Sequence, residues 1–497
     1  MDNLDVIVQG FAVAFTWQGI LAVFFGVLIG QIVGALPGLG PAAGMALLLP
    51  ITFGMDPTAA IMMLAGILYG GMYGGTLTSV LINVPGESSS VMTALDGHQL
   101  ALQGRAGAAL SIAAIGSFVA GIVGTFALAL AAVAISAVAL RFNAPEFFLL
   151  ALLGLIATAS LGGGSPVKAL LMACVGLSIA LIGVDPISGV NRLTFGSTTL
   201  LDGIDFLPVA IGLFGIAEVL ASLESIKREP VLAAKFKDMW LTKAEWMSSR
   251  MAIVRGTGIG FVVGLMPGAG ATIAAFLAYV VERRFSKSPE RFGKGSLDAI
   301  AASETANNAS VTGALAPMLA LGIPGSTGTA VLLAALILQG VRPGPTLMTD
   351  QPILVWSLIA SMLLGNVILL IMNLPLAPLF AAFLRVPYVY LAPGIVMFSL
   401  IGAFAATLSY STMIIAMVFG GIGYVMIKLD LPRAPLVLAL VLAPLMEESL
   451  RQSLLLSLGS PMIFLTRPFA VVLIVVIAVF VAMPFLFRRS GRLSPAG

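Results

Sequence analysis

Two segments of the sequence combine a helix break with hydroxyl side chains: PGESSS at residues 85–90 and PGSTGT at residues 324–329. Proline lacks a backbone N–H and disrupts the helix before it, and glycine permits a tight turn. A helix that begins after such a break presents free N–H groups and the positive end of its dipole, and serine and threonine add hydroxyl donors. The two segments therefore predict an anion site. The substrate-binding residues that we expect are Pro85, Gly86, Ser88, Ser89, Ser90, Pro324, Gly325, Ser326, Thr327 and Asn308.

A second polar cluster, SETANNAS at residues 303–310, adds acidic and amide side chains. Carboxylates in an apolar segment are costly and usually functional. Amide oxygens suit a hard cation, although hydrogen bonding between helices is the alternative role for each asparagine. The residues expected to hold Na⁺ or relay a proton are Asn83, Glu87, Glu304 and Asn307. The chain has one histidine, so no histidine-based metal cluster and no metal beyond Na⁺ is expected.

Two further breaks share the pattern G-x-x-P-G-x-G, and they begin at Gly34 and at Gly264. Each predicts a tight turn that opens a second helix and contributes little side-chain chemistry of its own. The expected structural breaks are Pro37, Gly38, Gly40, Pro267, Gly268 and Gly270. A simple proline kink would explain one such motif, but four breaks in a paired order favour a ligand or ion site.

The composition indicates what these breaks interrupt. Hydrophobic residues make up 59% of the chain and charged residues 9%, whereas a soluble protein carries about 25% charged residues. The sequence predicts an all-α polytopic membrane protein with roughly 11 to 13 spans, plus broken helices and re-entrant hairpins. The net charge of +3 lies in loops and gives no reason to expect nucleic acid. The chain lacks a Walker motif and a Ser-His-Asp set, so neither an enzyme nor an organic cofactor is expected.

The breaks recur in the same order in both halves of the chain. Pro37 corresponds to Pro267 at an offset of 230, and Pro85 corresponds to Pro324 at an offset of 239. This repetition predicts a duplication. The expected units are a first repeat at 1–221 (motifs near 34–44 and 83–90), a linker at 222–250, a second repeat at 251–450 (motifs near 264–272 and 303–329), and a C-terminal spanning helix with a basic tail at 451–497.

Charge patterning predicts the topology. The basic segments 224–250, 282–295 and 488–492 should be cytoplasmic, and the acidic N-terminal segment should lie outside. The chain is then N-out and C-in, and its two repeats enter the membrane from opposite sides. Inverted repeats with broken helices are the plan of many secondary transporters, whose sites lie near the bilayer midplane.

The sequence also resembles a known family at its longest motifs, which include GALPGLGPAAGMALLLPITFGM, YGGMYGGTLTSVLINVPGESSSV, ASETANNASVTGALAPMLALGIPGSTGTAV and MEESLRQSLLLS. Over about residues 15–460 it is similar to the large membrane subunit of the tripartite tricarboxylate transporters. The resemblance implies uptake of citrate or a related carboxylate across the bacterial inner membrane by symport with Na⁺ or H⁺. It implies a periplasmic solute-binding protein and a small four-helix membrane subunit as partners, and it leaves a homodimer open.

The mechanism that we expect brings the two hydroxyl-bearing breaks together near the midplane, where they bind a carboxylate beside one or more cations. Elevator motion is expected in preference to rocking. A channel and a membrane scaffold that does not transport are the alternatives. Two other polar groups are expected to be structural: the turn that contains Asp96 and His98, and a helical ion pair between Glu447 and Arg451.

Overall fold

The computed structural model describes residues 3–36, 39–161, 165–185, 188–224, 239–383 and 388–489. Over these residues the all-α prediction is confirmed, with one exception, an antiparallel pair of two-residue strands. Three sequence predictions lie wholly or partly outside the described residues: the breaks at Pro37 and Gly38, residues 225–238 of the linker 222–250, and the end of the basic tail.

The first half of the chain forms ten α-helices and the two strands in its described part. They are α1 Asn3–Ala14, α2 Trp17–Gly34, α3 Pro41–Leu48, α4 Pro57–Ile82, α5 Val91–Leu102, α6 Ala106–Ala139, α7 Ala144–Leu161, α8 Pro166–Ala180, β1 Gly183–Val184, β2 Asn191–Arg192, α9 Phe206–Ala210 and α10 Ala217–Glu224. A π-helical turn, Ile211–Ile216, joins α9 to α10. A 3₁₀ turn, Ser88–Ser90, precedes α5.

In its described part the second half contains helices joined by loops, and no strand. Its elements are α11 Lys243–Gly264, α12 Gly270–Phe285, α13 Leu297–Leu321, α14 Thr327–Leu338, α15 Leu347–Asp350, α16 Pro352–Asn373, α17 Ala377–Phe383, α18 Tyr388–Thr407, α19 Tyr410–Lys428, α20 Arg433–Leu456, α21 Ile463–Thr466 and α22 Pro468–Arg489.

Six helical segments of the described chain are long and apolar enough to cross a membrane. They are Trp17–Gly34, Pro57–Ile82, Ala106–Ala139, Phe206–Glu224, Pro352–Asn373 and Tyr410–Lys428. Several shorter apolar helices, such as α3, α8 and α14, lie between them. Because an α-helix pairs its backbone groups internally, helices of this kind are compatible with lipid. The structure supports a polytopic protein, and the full count of 11 to 13 spans stays a prediction.

Helices α4 and α13 form the centre of the fold. Every residue of α4 from Ala59 to Leu81 is buried, and so is every residue of α13 from Ala299 to Ala320. Both central helices carry polar side chains in this buried environment. A buried polar group needs a hydrogen-bonding partner or a ligand, so these two helices are where function has to be sought.

Glycine-lined packing brings another helix close to each central helix. A Cβ atom at Gly30 of α2 would lie 2.8 Å from the Ile67 Cα of α4, and one at Gly260 of α11 would lie 2.6 Å from the Ala306 Cα of α13. Such small residues at every fourth position let helix backbones approach closely in membranes. Gly30 and Gly260 are 230 residues apart in the sequence, and their contacts Ile67 and Ala306 are 239 residues apart. These are the same two offsets that separate the paired break motifs.

The two hydroxyl-bearing breaks also have matching local geometry. The C-cap residue of α4 is Asn83, with φ 55°, and that of α13 is Gly322, with φ 72°, so both caps have a left-handed backbone. After each cap the chain turns back along the helix that it has left. A Cβ at Gly86 would lie 2.6 Å from the Gly75 Cα, and one at Gly325 would lie 3.0 Å from the Ala314 Cα. These contacts place the two Pro-Gly turns directly against the central helices.

Asp96 joins α5 to the loop that precedes α13. Its buried carboxylate accepts backbone N–H groups from Gly293, Gly295 and Ser296 at 2.7–3.0 Å, and the Tyr279 hydroxyl at 2.9 Å. Charge-assisted bonds of this kind are among the stronger hydrogen bonds in proteins. These contacts fit the expected structural role, but the expectation of a turn is wrong, because Asp96 and His98 lie within α5.

The predicted helical ion pair on α20 is present. Glu447 and Arg451 are 2.7 Å apart, and the pair extends to Asp185 and Arg192 of the β1–β2 region. This network ties the end of α20 to the connection between α8 and α9.

Candidate functional site

A cavity of about 610 Å³ lies where all four break motifs meet. Its lining includes Gly40 of the first motif, Ser88 of the second, Thr272 just beyond the third and Ser326 of the fourth. Motifs that are far apart in sequence therefore contribute to one surface. Pockets for small organic ligands have volumes of about 300–1,000 Å³, so this cavity has the size of a metabolite site.

The first hydroxyl-bearing break presents its serines in different directions. The Ser88 hydroxyl lies 2.8 Å from the Thr272 hydroxyl of α12, and both residues line the cavity. Ser89 donates to the Glu87 carboxylate. Ser90 donates at 2.9 Å to the Glu87 backbone carbonyl and is buried. Ser88 therefore links the two halves at the cavity, whereas Ser90 holds the turn together.

The second hydroxyl-bearing break begins a helix. Ser326 is the N-cap of α14, and its hydroxyl accepts the backbone N–H of Thr329 at 3.2 Å. The Thr329 hydroxyl in turn accepts the backbone N–H of Ser326 at 2.8 Å. Ser326 and Thr327 both line the cavity, so the N-terminus of α14 is directed toward it. Backbone N–H groups at such a position favour an anion.

A bond between two turns fixes the position of this N-terminus. The backbone N–H of Gly268 donates to the Gly325 carbonyl at 3.1 Å. Gly268 has φ 79°, a conformation that favours glycine. The third motif thus supports the fourth through the backbone alone, without a side chain.

Behind the cavity wall lies a buried cluster of acidic, amide and hydroxyl groups. Glu304 of α13 accepts hydroxyl bonds from Thr76 of α4, at 2.8 Å, and from Thr93 of α5. Asn307, one helical turn further, donates to the Glu87 carboxylate at 3.3 Å. The cluster therefore connects the centre of the second half to the first Pro-Gly turn.

The side-chain oxygen of Asn307 has no hydrogen-bond partner within the described part of the chain, although Asn307 is completely buried. A buried acceptor without a partner costs free energy of about 1–3 kcal/mol. Carboxylate, hydroxyl and amide oxygens are the ligands that hard cations prefer. The oxygen atoms of Asn307 and of the two glutamates, Glu87 and Glu304, are therefore suitable ligands for a Na⁺ ion, and either glutamate could instead hold a proton.

The predicted site residues fall into two groups. Those that line the cavity are Gly40, Pro85, Gly86, Glu87, Ser88, Ser89, Gly268, Gly270, Ser326 and Thr327. Those that lie outside its lining are Asn83, Ser90, Pro267, Glu304, Asn307, Asn308, Pro324 and Gly325. In the second group, Ser90, Pro324 and Gly325 shape the turns, and Glu304 and Asn307 form the buried cluster.

Asn83 and Asn308 lie outside the cavity lining, and neither side chain contacts a side chain of the cluster. Asn83 is an exposed helix C-cap. The Asn308 side chain donates at 2.7 Å to Ser117 of α6 and at 3.2 Å to the Glu304 carbonyl. Their assignments, to cation coupling and to substrate binding respectively, stay predictions.

Sequence reasoning missed an ion pair in the cavity wall. Arg433 and Glu218 both line the cavity, and the Arg433 Nη1 lies 2.8 Å from a Glu218 carboxylate oxygen. The signal in the sequence is an arginine at the first position of an apolar helix, in DLPRAP at residues 430–435. Only the fold shows that this arginine faces the break motifs.

Comparison with known proteins identifies the family. Residues 20–438 match the tripartite tricarboxylate transporter TctA family. The chain is 43% identical over 476 residues to an uncharacterized 52.8 kDa protein in the TAR-I ttuC' 3' region of Agrobacterium vitis, and the match covers 96% of this chain and 95% of that protein. It is 42% identical over 211 residues to an uncharacterized protein in the TAR-II ttuC' 3' region of the same organism, covering 42% of this chain and 87% of that protein.

No solved structure matches the chain. The family match spans all four break motifs and Arg433. The chain belongs to the tripartite tricarboxylate transporter TctA family, a family of membrane transporters with partner subunits.

Proposed function

We propose that this chain is a secondary active transporter that takes up a carboxylate, such as citrate or a related organic anion, together with Na⁺ or H⁺. One observation carries the proposal: a single metabolite-sized cavity is lined by break motifs from both halves of the chain. Transporter sites of this kind place helix N-termini toward anionic groups. Family membership supports a permease role.

The anion part of the site comprises the N-terminus of α14, capped by Ser326, together with Thr327 and Ser88. These groups offer N–H and O–H donors to one carboxylate. Glu87 lies in the same lining, and its charge would repel an anionic substrate. A cation bound next to Glu87 removes that repulsion, which gives a physical reason for coupled uptake.

The cation part is the cluster of Glu87, Glu304 and Asn307. It is adjacent to the cavity, since Glu87 belongs to both. Bound Na⁺ would give the Asn307 oxygen a partner and order the Pro-Gly turn at residues 85–86. Protonation of a glutamate would have a similar electrostatic effect, so the identity of the coupling ion has to be measured.

The proposed motion rests on an inverted repeat with N-out, C-in topology. The glycine contacts have the same offsets as the break motifs, and α4 and α13 have matching left-handed caps; both observations support the duplication. Charge asymmetry between the loops supports the inversion. Elevator movement of the elements around the cavity would then expose the site alternately to each side.

In the cell, we place the protein in the bacterial inner membrane with a periplasmic solute-binding protein and a small four-helix subunit. The binding protein would deliver the substrate. A homodimer is compatible with this arrangement.

Thermal unfolding of the purified full chain, with a carboxylate panel in NaCl or choline chloride, tests the proposal. Citrate or another carboxylate should raise the midpoint temperature of unfolding, and the size of this increase should depend on Na⁺ or on pH. Sulfate is the control anion. Uptake into proteoliposomes should stop when the cation gradient is collapsed, and uptake that persists would indicate a channel. A chain that responds to no carboxylate would contradict the proposed function.

A further inference from the structure

Arg433 is the one lysine or arginine in the cavity lining given by the described residues. It is the first residue of α20, directly after Pro432. The cavity also presents a helix N-terminus and several hydroxyl groups, so the Arg433 guanidinium is a second position that can bind a negative charge. In this structure the Glu218 carboxylate lies at that position.

The contact between Arg433 and Glu218 is a weak form of the arginine–carboxylate pair. The closest approach to the Glu218 carboxylate is made by Nη1, at 2.8 Å, and the same nitrogen donates to the Leu213 carbonyl at 2.9 Å. In contrast, Arg255 binds Glu282 through two nitrogens, at 2.6 and 2.7 Å. Arginine binds carboxylates best through two parallel bonds.

The rest of the guanidinium group is available to a ligand. Within the described chain its Nε and Nη2 atoms donate no hydrogen bond. The group lies 5.5 Å from the centre of the Phe214 ring, which keeps it in place. The Leu213 carbonyl and Phe214 both belong to the π-helical turn Ile211–Ile216, and such turns are frequent at functional sites.

We propose that Arg433 binds a second carboxylate group of the substrate and that Glu218 occupies this position only while the site is empty. The proposal rests on the proposed function and narrows its substrate class to anions with two or more carboxylates. One carboxylate lies at Ser326 and the N-terminus of α14, and another displaces Glu218 from Arg433. A partly buried arginine without a counter-ion is unfavourable, which explains why an internal carboxylate fills the position before the substrate does.

A purely structural ion pair between α10 and α20 is the competing explanation. Both side chains are largely buried, with 23% of the Arg433 side chain and 14% of the Glu218 side chain exposed. If the pair only holds helices together, neutralising either residue should affect ligand binding in the same direction. If Glu218 competes with the substrate, the two changes should act in opposite directions.

The experiment measures dissociation constants for tricarballylate, succinate and butyrate on the purified full chain, from ligand-dependent thermal shifts. Succinate and butyrate have the same carbon number and differ by one carboxylate. Arg433→Gln should weaken succinate and tricarballylate binding by about tenfold or more and change butyrate binding little. Glu218→Gln should strengthen the binding of both polycarboxylates.

Two further variants keep the test decisive. Arg433→Gln combined with Glu218→Gln replaces the ion pair by neutral side chains of similar size, and it should fold yet bind polycarboxylates as weakly as Arg433→Gln. Lys428→Gln is the matched control, because Lys428 also has an ion-pair partner, Glu224, but lies outside the cavity lining. The dissociation constants of Lys428→Gln for all three ligands should equal those of the wild type.

The outcomes separate the two proposals. If no carboxylate stabilises the wild-type chain, the proposed function fails and this inference fails with it. If the wild type binds carboxylates but Arg433→Gln binds succinate equally well, only the role of Arg433 is overturned. Weaker binding in both single variants alike would assign the pair a structural role instead.

Discussion

Asn307 donates its side-chain N–H to the Glu87 carboxylate at 3.3 Å, which joins two polar segments 220 residues apart in the chain. The bond links the centre of α13 to the turn that precedes α5. Because Glu87 also lines the cavity, a change at Asn307 can reach the ligand through one side chain.

Asn307→Ala should weaken cation binding more than carboxylate binding, since it removes one oxygen of the proposed cation site and one donor to Glu87. We expect the cation concentration for half-maximal uptake or stabilisation to rise about tenfold. Titration with NaCl at constant ionic strength, and at several pH values, measures the effect. Asn366→Ala in α16 is the control, because Asn366 is also buried but donates to the Met362 carbonyl and lies outside the cavity lining. Equal changes in both variants would remove Asn307 from the cation site.

Ser326→Ala should reduce carboxylate binding, because the serine caps α14 at the cavity. Loss of an N-cap costs about 1 kcal/mol of stability, so stability and binding must be measured separately. Ser296→Ala is a matched control: Ser296 caps α13 in the same way but does not line the cavity. Both variants should lose similar stability, and only Ser326→Ala should lose carboxylate response. A normal response in Ser326→Ala would refute the anion-site assignment of this residue.

Ser88→Ala tests the first break in the same way. Its hydroxyl bonds to that of Thr272 at 2.8 Å across the cavity wall. We expect lower carboxylate uptake with normal insertion into the membrane, measured by transport into proteoliposomes at equal protein content. Thr272→Val should have a similar effect, because it removes the other half of the bond. Unchanged uptake in both variants would show that this bond is dispensable.

Gly86→Ala should destabilise the protein more than Gly325→Ala. A Cβ at Gly86 would overlap the Gly34 carbonyl oxygen, a backbone atom, whereas the nearest atom to a Cβ at Gly325 is the Ala314 Cβ at 2.8 Å. Overpacking of this kind typically costs about 1–3 kcal/mol. Thermal unfolding compares the two variants with Gly258→Ala, which meets no atom within 4 Å. Equal stability of Gly86→Ala and Gly258→Ala would contradict the close approach of Gly86 to the backbone of α2 and α4.

Asp96→Asn should lower stability strongly while leaving the cavity residues in place. The carboxylate accepts three backbone N–H groups and the Tyr279 hydroxyl, and an amide group presents one acceptor fewer. We expect a loss of about 2–4 kcal/mol, and about 1 kcal/mol for Tyr279→Phe, which removes a single bond. Chemical or thermal unfolding of both variants measures the difference. A larger loss in Tyr279→Phe than in Asp96→Asn would contradict this account.

Local rules made several features predictable from the sequence. Apolar runs predict helices in lipid because the backbone must satisfy its own hydrogen bonds. Proline and glycine mark where those helices stop, and the fourth break does place Ser326 at a helix N-cap. The offsets of 230 and 239 could be read from the motifs alone. The glycines at every fourth position on α2 and α11 were also visible, although their role was not recognised.

Tertiary structure decided which polar groups act together. Asn307 and Asn308 are adjacent, but successive residues of an α-helix point about 100° apart, so one faces Glu87 and the other faces α6. Which of them meets a glutamate depends on how α13 packs, and spacing in the sequence does not contain that information. Arg433 reaches the cavity for the same reason, because the start of α20 lies beside the π-helical turn near Glu218. The sequence by itself determined the broken helices and their hydroxyl groups, and the packing of α4, α13 and α20 determined the charges that surround them.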